Sequence, residues 1–168
     1  MRFFWKHGVK LTVVLFVLGL VMAGAVTAMA DTEFTPKIKN AMAAMKENAA
    51  KIGAPKIDGS SLFFGTTKIN DNFELVDSLK SKFGGTATFF VKKGDAFVRI
   101  STNVMKDGKR AIGTPLDPSG PAIAAIRQGK AYYGIVDILG KLYDTGYEPI
   151  KNATGEIIGI YYIGYPME

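Results

Sequence analysis

The chain has 168 residues, with 21 Lys and Arg against 15 Asp and Glu, no cysteine, and one histidine, His7. Without cysteine there is no disulfide, thiol nucleophile or thiolate metal site, and with no imidazole beyond His7 the histidine-based triads are excluded. The net charge of +6 falls to +3 once Arg2, Lys6 and Lys10 are set aside, too small and dispersed an excess to indicate a nucleic-acid partner.

Those three bases occupy an acid-free start, and Leu11 to Ala30 follows as an uncharged, mostly apolar run ending in Ala28-Met29-Ala30. A basic segment, an apolar segment and a small-residue end describe a secretory signal peptide over residues 1–30. The competing reading is a retained membrane anchor, because about 20 apolar residues can also span a bilayer. In either case residues 31–168 are expected outside the cytoplasmic membrane, periplasmic or secreted, and they suffice for one domain.

Thr32 to Gly53 reads as a helix, with Asp31 or Thr32 as its cap, Pro36 in its first turn and Gly53 as its stop. Phe34, Ile38, Ala41, Met42, Met45, Ala49 and Ile52 recur at helical spacing and form one core-facing stripe. Ala54-Pro55 and Asp58-Gly59 break the chain. Ser61 to Thr67 is then a strand candidate, and Asp71 to Phe83 a short helix ended by Gly84-Gly85.

Thr86 to Val91 and Ala96 to Ser101 are β-rich runs joined by Lys-Lys-Gly-Asp, a hairpin signal. Arg110 to Thr114 is the next strand candidate. Pro118 to Gln128 reads as a second short helix, with Gly129 beyond its end. Ala131 to Leu139, Leu142 to Ile150 and Ile157 to Tyr165 complete the strands. A long helix followed by a meander with short helices gives an α+β layout on a mostly antiparallel sheet.

Enzyme signatures are sparse. The acids stand mainly in glycine turns, with no alternating calcium-loop pattern and nothing that specifies a carboxylate pair. Neither a metal nor a cofactor is expected. What stands out is Arg99 within Phe97-Val-Arg-Ile-Ser101. Strand alternation places Phe97, Arg99 and Ser101 on one face and Val98 and Ile100 on the other. Such an arginine is a surface charge, a structural ion-pair partner or a ligand clamp. Six tyrosines, Tyr132, Tyr133, Tyr143, Tyr147, Tyr161 and Tyr162, crowd the C-terminal third. Most belong to the core, yet a buried phenol seeks a hydrogen-bond partner. An arginine fork beside phenol hydroxyls suits a small carboxylate.

Gly84 to Asp95, Phe97 to Asn103, Gly108 to Thr114, Tyr133 to Tyr143, Gly146 to Ile150 and Gly155 to Ile160 follow one another in an order that resembles the single Cache domain of the Cache three/Cache two fusion type. The resemblance runs from about Leu62 to Pro166, and the long preceding helix suits it. It implies a PAS-like fold, with that helix packed behind a central antiparallel sheet and a small pocket on the other side. It also implies an extracytoplasmic sensor for short organic acids such as acetate, propionate, pyruvate or lactate. By that resemblance the ligand role falls to Arg99, Tyr133, Tyr143 and Tyr147, with Arg110 and Lys130 as further candidates.

Relatives of this kind lead into a second membrane helix and a cytoplasmic transmitter, whereas this sequence stops at Met167-Glu168. The expectation is therefore a binding module read by a membrane receptor or complex partner, and a homodimer through the N-terminal helix is an additional expectation. The alternative is a structural or interaction subunit of a membrane or surface complex.

Overall fold

The computed structural model describes residues 32–167; the expected signal peptide and the proposed cap Asp31 lie outside them. Helix α1 spans Thr35–Ile52, beginning three residues later than the sequence suggests. Thr32 instead shapes a turn ahead of the helix. Its hydroxyl accepts from the Phe34 N–H, its own N–H donates to Thr35 Oγ1, and its hydroxyl also reaches the buried Asp144 carboxylate. Pro36 stands in the first helical turn, where a missing N–H goes unnoticed. The expected stripe is the buried one, with Ile38, Ala41, Met42, Met45 and Ala49 all in the core.

The stretch after α1 differs from expectation. Pro55–Asp58 forms β1 rather than a break, and it pairs antiparallel with β2 (Ser61–Phe64), which pairs with β3 (Thr67–Lys68). Gly65, at φ +57, splits the single strand expected there, and its backbone presses against the end of α1. A Cβ built on Gly65 would stand 2.7 Å from the Ile52 carbonyl oxygen, so only glycine fits this approach.

Helix α2 (Glu74–Phe83) leads into the main sheet. Its strands are β4 (Thr86–Lys93), β5 (Ala96–Thr102), β8 (Tyr132–Ile138), β9 (Lys141–Lys151) and β10 (Ile157–Pro166). They are antiparallel, in the spatial order β5-β4-β10-β9-β8. The ribbon β6 (Met105–Lys106) and β7 (Lys109–Arg110) precedes α3 (Pro121–Arg127).

The strand expected over Arg110 to Thr114 is corrected. Only its first residue is in a ladder, because Gly113 takes φ +79 and turns the chain. The turn lies along the outer edge of β5, with Arg99 N–H donating to Thr114 O and Gly113 N–H to Arg99 O. One bridge, Val98 to Pro115, remains of the pairing. The turn covers an edge that would otherwise expose unpaired backbone groups.

Alternation along the strands divides the core in two. Toward α1 and α2 lie Ala87, Phe89, Val91, Ile150, Tyr161, Ile163 and Tyr165. Toward α3 lie Phe90, Phe97, Ile138, Tyr147, Ile160 and Tyr162, capped by Leu116, Ala122, Ile123 and Ile126. Successive residues of β10 thus serve opposite compartments.

Gly146 on β9 shows why one position must stay small. Its cross-strand partner is Tyr133, and a Cβ there would stand 2.7 Å from the Tyr133 ring and 2.8 Å from Ile38 of α1. The tyrosine ring occupies the space a side chain would need.

Candidate ligand-binding site

Arg99 is held by an irregularity in β5. The ladder pairs Phe89 with Ser101 and Phe90 with Arg99, so Ile100 is an extra residue, a β-bulge. The bulge corrects the alternation expected from sequence. Phe97 and Arg99 face α3, while Ile100 joins the core under α1 and Ser101 donates to the Asn72 carbonyl just ahead of α2. Arg99 and Ser101 therefore do not share a face.

The Arg99 side chain is 4 % exposed. Its guanidinium lies over the Phe90 ring, 4.9 Å from the centroid, a favourable cation–π placement. Nη1 donates to Thr114 Oγ1 at 2.8 Å and, at 3.4 Å, to the Pro115 carbonyl. Nε is buried with no partner, and among the described residues no carboxylate pairs with Arg99. Burial pulls the guanidinium below its ordinary pKa, and the nearby Tyr147 and Tyr162 phenols oppose that shift. Arginine nevertheless stays charged, since its reference value is so high.

Arg99 opens onto a cavity of about 510 Å³ between the sheet, the segment before α3 and the β8–β9 hairpin. Burial orders its lining. Arg99, Tyr147, Leu116, Ala122 and Ile138 are buried and form the floor. Asp117 and Leu139 are exposed at the rim, and Ile135 and Asp137 border it from the edge strand β8, where alternation turns their side chains to the face that carries Tyr133. The Leu139-Gly140 turn has both residues at positive φ, +56 and +86, which suits a two-residue hairpin but is costly for leucine.

Tyr147 is 1 % exposed, and its ring lies 4.9 Å from that of Tyr162 and 6.5 Å from that of Phe90. Burial raises its pKa, with the Arg99 charge opposing. No protein group among the described residues hydrogen-bonds its hydroxyl. Tyr162 is satisfied differently, its hydroxyl meeting Thr86 Oγ1 at 3.1 Å.

Of the six residues singled out from sequence, Arg99 and Tyr147 meet at this cavity. Tyr143 packs half-buried against the same core compartment without lining it. Tyr133 lies on the opposite face beneath α1, donating to Glu148 Oε1 at 2.6 Å. Arg110 is engaged elsewhere: its fork meets both oxygens of Asp77 at 2.8 Å, and it lies 4.3 Å over the Phe73 ring. Lys130 is exposed beyond α3, with Nζ donating to Gln128 Oε1. Sequence reasoning missed Asp117, Asp137, Ile135 and Leu139. The turn composition of Leu116-Asp-Pro-Ser-Gly120 and the hairpin at Leu139-Gly140 was visible, but not that the two would meet.

A long helix behind a five-stranded antiparallel sheet, with an arginine-floored cavity on the other face, defines a PAS-like sensory architecture. The chain belongs to the Cache 3/Cache 2 fusion domain family, whose model matches residues 23–168. Cache domains are extracytoplasmic sensing modules that bind ligands and are not enzymes, and this chain is such a sensing module.

Among solved structures the chain is similar to the DcuS sensor domain of E. coli, with 17% identity and a TM-score of 0.41, covering 54% of this chain and 62% of that one. It is also similar to a protein assigned as a transcriptional regulator from Rhodococcus sp. RHA1, with 13% identity and a TM-score of 0.41, covering 71% of this chain and 70% of that one. No curated protein matches the chain. Among the described residues no helix is long and apolar enough to cross a membrane, and no group of potential ligands could hold a metal ion.

Proposed function

We propose that this domain binds a small organic acid outside the cytoplasmic membrane, with acetate, propionate, pyruvate and lactate as the first candidates. In this reading Arg99 takes the carboxylate and the Tyr147 hydroxyl donates a further hydrogen bond. Residues 1–30 act as the export signal, residues 31–168 form the single sensing domain, and a membrane partner reads the occupied state.

One observation carries the proposal: Arg99 is buried against a cavity, has an unpartnered Nε, and pairs with no carboxylate among the described residues. A buried charge is costly unless paired, and an anion entering the cavity supplies the pair. Tyr133, Arg110 and Lys130 have no part in this reading.

The test is calorimetry of two- to four-carbon acids on folded protein stripped of ligand. Thermal shift gives a first screen, since a ligand at 100 times its Kd stabilises by about 2.7 kcal/mol. Binding that disappears in Arg99→Ala supports the proposal, and no binding of any acid overturns it.

A further inference from the structure

The two outer edges of the main sheet are finished differently. On β5 the Gly113 turn lies along the edge and takes up the backbone groups of Arg99. On β8, the other outer strand, no backbone group pairs with the outer edge among the described residues. Natural sheets blunt such an edge with a bulge, a proline or a lysine. Tyr132–Ile138 has none of these: its register against β9 runs without a shift, and its one charged side chain is Asp137.

The β8–β9 hairpin fixes which groups look outward. Its loop is Leu139-Gly140, and the flanking pair is Ile138 with Lys141. In a two-residue hairpin that flanking pair is hydrogen-bonded, and hydrogen-bonded pairs then alternate with the others. Ile138, Val136, Gly134 and Tyr132 therefore bond inward to β9. The Gly134 carbonyl also accepts from Thr145 Oγ1 of β9 at 2.6 Å, as an inward group does. Tyr133, Ile135 and Asp137 turn both N–H and C=O away from β9. Their side chains share the α1 face, and Ile135, at the middle, is 42% exposed.

We propose that this edge is a homodimer interface, where a second copy adds its own β8 antiparallel across a two-fold axis at Ile135. Ile135 then faces its own equivalent, and Tyr133 faces the Asp137 of the second copy. One register satisfies every outward N–H and C=O of the three residues and covers the exposed isoleucine. Self-complementarity specifies the occupant as a second copy, as a two-fold contact requires. Asp137 is in no ion pair among the described residues, and the pairing brings it opposite Tyr133, whose ring lies 6.0 Å from Lys39 Nζ. Acid thus approaches base on both sides of the axis. The exposed side of α1 offers no such surface, since it carries Lys37, Lys39, Lys46, Glu47 and Lys51 and no large apolar residue.

Three facing pairs make a small contact beside the roughly 1,200–2,000 Å² of a standard interface, so association is weak and depends on concentration. Sedimentation velocity of the exported protein, from micromolar to millimolar concentration, reads it. The unaltered protein passes from monomer to dimer within that series. Ile135→Lys and Ile135→Glu each set like charges against each other at the axis and weaken association by about tenfold or more. An equimolar mixture of the two variants regains dimer, because opposite charges then meet there. Circular dichroism confirms that each variant is folded, as expected for a change at an exposed side chain.

A monomer at every concentration overturns the proposal. So does a dimer that neither substitution weakens, which places the contact on another surface. A mixture no more associated than its two components overturns the two-fold pairing at Ile135.

Discussion

Arg99 and Phe90 are cross-strand partners only because Ile100 is an extra residue in β5. Without that bulge the strand would keep strict alternation, and its register against β4 would shift for every residue beyond it. The bulge lets Arg99 lie over the Phe90 ring while Ile100 and Ser101 both turn toward the helices. A single inserted position thus separates the cavity-facing end of the strand from the end that packs under the helices.

This burial has a stability consequence. Arg99 is desolvated with no carboxylate partner among the described residues, whereas Thr114 keeps its own bond to the Ala111 carbonyl whether or not Arg99 is present. Arg99→Met should therefore stabilise the ligand-free protein by about 1 kcal/mol while abolishing acid binding, as for other unpaired buried charges exchanged for apolar side chains. Urea denaturation with and without ligand measures both effects.

Arg110→Ala should behave in the opposite way. Its bidentate pair with Asp77 ties β7 to α2, and both partners are partly exposed. The expected loss is about 1 kcal/mol of stability, with ligand affinity unchanged. Calorimetry beside a denaturation curve separates the two arginines.

Gly146→Ala should cost about 1–3 kcal/mol, the usual range for overpacking a core, because the new methyl collides with Tyr133 and Ile38. Removing the ring in Tyr133→Ala, Gly146→Ala should recover part of that loss, giving a favourable coupling in a double-mutant cycle. Ligand affinity should be unaffected, since this contact lies beneath α1.

The buried phenols set an alkaline limit. Burial holds Tyr161 up at about 12, and Tyr133, Tyr147 and Tyr162 are also raised, chiefly by burial. The unfolded chain loses these protons near pH 10 while the folded chain keeps them, so the unfolded state binds fewer protons. Their contribution is complete below about pH 10 and is lost as pH climbs toward each folded value, at about 1.4 kcal/mol per pH unit per phenol. Tyr161→Phe should reduce the slope of stability against pH between about 10 and 12 by one such increment. Denaturation curves across that window, with phenolate absorbance, provide the check.

The sequence carried the sheet well because β9 and β10 are long, apolar and bounded by turn residues. It carried less about faces. Tyr132 and Tyr133 are adjacent on an edge strand, and either could have faced the cavity. What decides is Gly146, whose missing side chain makes room for the Tyr133 ring under α1. Arg110 was ambiguous for another reason, since its partner Asp77 lies 33 residues away and no local pattern announces the pair. Asp137 fell inside the strand expected over Ala131 to Leu139, yet both it and Asp117 close turns. That these two distant turns border one cavity is a tertiary relationship, which periodicity cannot register. The small three-stranded sheet that starts at Pro55 was hidden by the proline itself, which is tolerated there because β1 is an edge strand.

Leu139 stands at the cavity rim 41% exposed. An occupant that covers it takes apolar surface out of water, and such burial carries a negative heat-capacity change. The enthalpy of capture then grows more exothermic with warming while its entropy declines, so affinity passes through a maximum rather than following a straight van't Hoff line. The affinity of the cavity for such an occupant would then be tied to temperature, and that dependence would originate in apolar side chains at its mouth.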